Sequence, residues 1–75
     1  MSTYENRTLA VLINAIDQRL LSASHYSAEA HEAIKHERRN EAIGALLVIE
    51  QDLETALQLH RATIALHRTM KGGAV

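Results

Sequence analysis

The sequence predicts an all-α protein: a helical hairpin, a short N-terminal helix against a long one, assembling into an oligomeric helical bundle. Three observations carry that expectation. From about Asn40 to Lys71 the chain has no proline and a single glycine, Gly44, and its apolar residues recur at helical spacing. The stretch closes on a near-perfect heptad, Leu59-His60-Arg61 followed by Leu66-His67-Arg68. Unbroken, it would be roughly 46 Å long. That is more than the remainder of a 75-residue chain covers, so a partner chain is expected.

Size points the same way. One domain, 1–75, is all the chain has room for. Folded alone, so small a chain buries only about 60% of its unfolded surface, and the usual remedies are disulfides, metals or oligomerisation. There is no cysteine, which removes disulfides and thiolate metal sites together. Oligomerisation is left. A net charge of −1 provides no strong field toward nucleic acid or anionic membranes. The N-terminus lacks a basic leader region, Leu9–Ile16 is interrupted by Asn14, and nothing approaches the roughly 18 apolar residues of a membrane span. A cytoplasmic protein with no membrane contact is therefore the expectation.

Along the chain, Ser2-Thr3-Tyr4-Glu5 reads as a capping box that opens the first helix. Leu9, Leu12, Ile13, Ile16 and Leu20 then share one face, while Val11 and Leu21 widen the apolar surface beyond one neighbour's needs. The serines of Ser22–Ser27 compete for backbone hydrogen bonds, which makes that segment the candidate turn. Helix is expected to resume with Tyr26, Ala30, Ala33 and Ile34 on one face. The charged run Lys35–Asn40 is then either a connector or the solvated waist of a long helix that can kink near residues 40–44.

Beyond it, Leu46, Ile49, Leu53, Ala56/Leu57, His60 and Ile64 form one stripe, with Ile43 and Leu47 on its flank. Leu59, Ala62 and Leu66 form a second. Two stripes on one helix imply two neighbours. The expected oligomer interface is accordingly Leu46, Leu47, Ile49, Leu53, Leu57, Leu59, Ile64 and Leu66. Arg61, Arg68 and Lys71 complement the negative helix end, Gly72-Gly73 supplies a C-cap, and residues 72–75 form a frayed tail.

Few motifs carry chemistry. His31-Glu32-Ala33-Ile34-Lys35-His36 places its second histidine five residues on, not four, so the imidazoles diverge and the zinc-protease pattern fails. Glu32 and His36 make a surface hydrogen bond the better expectation, and no metal is assigned. No glutamate has a histidine three residues on, which excludes a ferritin-like di-iron site. Arg38-Arg39 with Lys35 is interleaved by glutamates and reads as a solvated face. With no paired nucleophile and base and no Gly-rich phosphate loop, no catalytic residues, cofactor or enzymatic activity are assigned.

His60 and His67 lie one heptad apart on the same face, with Arg61 and Arg68 in a row beside them. As bundle residues they are polar fillers and snorkelling cations. As a site, together with Lys71, they would grip a phosphate or carboxylate.

Two resemblances bear on these readings. Ile43-Gly44-x-x-Leu47 followed by Ala56 is similar to tetratricopeptide spacing over about thirty residues, although His60 and Thr63 stand where that repeat has a large aromatic and a small alanine. Leu12-Ile13-Asn14-x-Ile16, followed by a long helix with Leu59-x-Arg61-Ala62 near its end, resembles small phage-encoded helical hairpins that sequester cyclic nucleotides. The second likeness, a handful of common residues, adds a little weight to an anionic ligand. The functional expectation is a non-catalytic protein-interaction or regulatory module, partnered by itself and by another protein. The alternative is a small protein that binds a nucleotide-like anion through His60, Arg61, His67, Arg68 and Lys71.

Overall fold

The computed structural model describes Thr3–Lys71, with the side chain of Lys71 left out. Two α-helices make up the fold: α1, Thr3–Lys35, and α2, Arg39–Lys71, each of 33 residues. A three-residue turn folds them back along each other as an all-helical hairpin. The short link forces antiparallel neighbours. The Ser2 cap, the Gly72-Gly73 cap and the tail at residues 72–75 lie outside the described residues.

The first helix is not short. It runs straight through Ser22–Ser27, where the sequence pointed to a turn. Serine costs a helix interior only about 0.5 kcal/mol relative to alanine. The segment also carries half-buried Tyr26 and buried Ala23, whose packing outweighs that cost. His25 pairs with Glu29 at 3.1 Å across one helical turn of the same segment.

The chain reverses at His36–Arg38, inside the charged run. The N–H of Arg38 donates to the carbonyl of Ala33 at 2.8 Å, and that of Glu37 to Ile34 at 3.1 Å. This is the Schellman pattern of a helix C-terminus. It requires a left-handed residue just past the helix, and Glu37 takes that place with φ 60°. Glycine normally stands there, so the sequence carries no visible stop signal. The N–H of Ala42 donates back to Arg38 at 3.1 Å, and Arg38 Nε bonds Glu41 in the first turn of α2. Helix α2 is continuous through residues 40–44, so the expected weak point near Asn40–Gly44 is displaced to the turn before it.

The seam between the helices is built from small residues. Its buried apolar side chains are Ala23, Ala30, Ala33, Ala42 and Ala56. Alanine contacts let two helices approach toward the short end, about 8 Å, of the usual interaxial range. Toward the open end, half-buried Leu9, Leu12 and Ile16 of α1 and Leu59, Leu66 and Met70 of α2 continue the seam. Among the described residues no large side chain is fully buried, and the buried polar residues are Asp52 and Thr63. Thr63 returns its hydroxyl to the carbonyl of Leu59 at 2.6 Å, the local bond that lets a threonine enter a helix seam without an unpaired donor.

Candidate interaction surface

The two sides of the hairpin differ in chemistry. On α2, Leu46, Leu53, Leu57 and Ile64 lie within about 40° of one another, roughly a quarter-turn from the alanine seam. All four are exposed, Leu53 at 50%. On α1, Ile13, Leu20 and Ile34 take the corresponding position and are exposed as well. An open groove at the turn end places the two helices' apolar residues on one side of the hairpin, with Ile34 and His31 of α1 facing Ile43 and Leu46 of α2 across Ala30 and Ala42. Large aliphatic side chains thus form a face along the hairpin, while alanines hold its two helices together.

The opposite side is charged around the turn. There Glu32 holds Lys35 at 3.6 Å and His36 at 2.9 Å, and Arg38 holds Glu41 at 2.8 Å. The Glu32–His36 bond is the surface pair that the sequence suggested. Tyr26, Ala33, Gly44, Ala45 and Val48 floor a second open groove between these charges. Among the described residues, no three metal-ligating side chains come together.

The structure separates the residues expected at an oligomer interface. Leu46, Leu53, Leu57 and Ile64 are exposed on the apolar face. Ile49 of the first stripe and Leu59 and Leu66 of the second are half-buried within the hairpin, whereas Ala62 of the second is exposed. Leu47 is 59% exposed, but it sits about 100° around the helix from Leu46. Ile13 and Leu20, read from sequence as part of the first helix's packed face, are in fact exposed on the apolar side.

Of the anion-site residues, His60, Arg61 and Arg68 are exposed and His67 is half-buried. The histidines and the arginines form two rows about 100° apart on the helix, and none of the four lines either groove at the turn end. The side chain of Lys71 lies outside the described residues. No described helix is long and apolar enough to cross a membrane.

The dimensions show how much surface is left uncovered. The hairpin measures 55 × 18 × 13 Å, and its radius of gyration is 16.9 Å, against about 11 Å for a compact domain of this length. Its accessible surface is 5736 Å², whereas a compact monomer of 8.3 kDa exposes about 4,600 Å². The excess is about 1,100 Å², and a standard protein interface takes about 800 Å² from each partner. The chain matches no protein-family model, and no curated protein or solved structure is significantly similar to it.

Proposed function

We propose that this protein is a non-catalytic interaction module that works as a homodimer, two hairpins closing their apolar faces into a four-helix bundle. One observation carries the reading: Leu46, Leu53, Leu57 and Ile64 are exposed along one face, while the buried apolar residues among those described are alanines. A two-helix hairpin has no third layer to cover such a face. A second copy has the same length and the same stripe, so two copies can cover each other's face. The charged side of each hairpin, with Glu32, Arg38 and Glu41 around an open groove, then faces outward as the surface available to another protein.

Light scattering at micromolar concentration tests the reading. A mass of two chains is expected. Glu substitution at both Leu53 and Leu57 should yield a monomer or a largely unfolded chain, whereas Leu47→Glu should leave the dimer intact. A well-folded wild-type monomer across the concentration range would overturn it.

A further inference from the structure

The exposed stripe of α2 reads the same in both directions. Leu46, Leu53, Leu57 and Ile64 are spaced seven, four and seven residues apart. An antiparallel pairing of two α2 helices about a twofold axis at Thr55 therefore sets Leu46 opposite the partner's Ile64 and Leu53 opposite the partner's Leu57. Such self-complementarity is what an isologous interface demands. Four charges lie along the outer edge of the stripe, Glu50, Glu54, Arg61 and Arg68, and of these Glu50 and Arg61 stand at nearly equal distances from Thr55 on either side of it. Both are exposed, and neither has an ion-pair or hydrogen-bond partner among the described residues.

We propose that the hairpins pair with their turns at opposite ends, so that Glu50 of each chain meets the partner's Arg61, twice by symmetry, beside the leucine stripe. This rests on the homodimer reading and specifies its geometry. The same axis stacks α1 on the partner's α1. By their distance from the turn, Ile16 and Leu20 straddle the level of Thr55, so Leu20 lies opposite the partner's Ile16 near the centre of the bundle. The other isologous arrangement, with both turns at one end, lays α2 over the partner's α1. Glu50 then lies over the partner's Ser24 and the partner's Ser27, which offer no cation. Charge complementarity favours the first arrangement, because oppositely charged flanking pairs set the register and orientation of packed helices. In that arrangement Arg61 is an interface residue and not part of an anion site.

Two measurements on the full chain test this. The protein has no cysteine, so a spin label on His36→Cys reports the distance between the two turns in the dimer. Turns at opposite ends of helices this long lie about 50 Å apart, and turns at one end of a bundle with ordinary interaxial spacing lie within about 20 Å. In parallel, Glu50→Arg and Arg61→Glu should each raise the dimer dissociation constant about tenfold, and the double variant should restore it, with helix content by circular dichroism unchanged throughout. A short distance, or a double variant no better than the single ones, overturns the pairing while leaving the homodimer in place. A wild-type monomer overturns the homodimer itself.

Discussion

Arg19 of α1 reaches across the seam to Asp52 of α2, Nη1 to Oδ1 at 3.5 Å, near the middle of the hairpin. The two ends of this contact differ in exposure. The Arg19 side chain is half exposed, whereas Asp52 is only 5% accessible, and its second carboxylate oxygen has no hydrogen-bond partner. A buried acid that accepts one cation from the opposite helix marks the register of a largely apolar seam, since sliding one helix past the other by a turn would strand it.

Removing the cation should therefore be costly. Arg19→Ala leaves the Asp52 carboxylate buried and unpaired, and is expected to destabilise the hairpin by about 1–3 kcal/mol. Asp52→Leu removes the charge together with its desolvation cost and should be tolerated far better. Urea unfolding of both variants at one fixed protein concentration checks the order. Equal losses would show that the contact has no part in holding the seam.

The turn provides a second prediction. Glu37 occupies the left-handed position of the Schellman turn with φ 60°, a conformation that costs a residue bearing a Cβ about 1–2 kcal/mol. Glu37→Gly should be neutral or stabilising. Glu37→Val should destabilise by about 1 kcal/mol or more, because branching at Cβ adds to the crowding. In thermal melts Glu37→Gly should match or exceed the wild type, and Glu37→Val should fall below it.

Gly44 lies inside α2, and a Cβ built on it meets nothing within 4 Å. Gly44→Ala should accordingly stabilise the protein by about 0.5–1 kcal/mol through helix propensity alone. Ala33, at 3% exposure the most buried residue of the seam, is the contrasting case. Ala33→Leu forces three extra carbons into a close helix contact and should cost about 1–3 kcal/mol. Chemical denaturation measures both, and a stable Ala33→Leu protein would show that the helices have room to part.

Dimerisation and anion capture make different thermal predictions. If folding is coupled to dimerisation, the melting temperature should fall on tenfold dilution. Inorganic phosphate and mononucleotides should leave it unchanged, in the wild type and in an Arg61→Ala/Arg68→Ala variant alike. A ligand shift present in the wild type and lost in the variant would assign the arginine row to an anion instead.

Local sequence determined the helices themselves. The unbroken stretch after Asn40, free of proline, became α2 almost residue for residue, because helical spacing and propensity are properties of near neighbours. The excess of large aliphatic residues over what one neighbour can cover was legible too, and Leu46, Leu53, Leu57 and Ile64 were recognisable as a stripe.

Tertiary structure decided two things that local sequence could not. Local sequence left the charged run Lys35–Asn40 as either a connector or a helical waist, because Glu37, and not a glycine, takes the left-handed position of the turn, while the serines at residues 22–27 are carried through by the burial of Ala23 and Ala30. Which apolar residues face inward was also reversed in part. Pattern reading weights a side chain by its hydrophobicity, so it puts leucines in the core. A two-helix seam favours close approach, so it takes the alanines and leaves Ile13, Leu20, Leu53 and Leu57 outside. That selection depends on the distance between two helix axes, a quantity that exists only once the chain has folded back on itself.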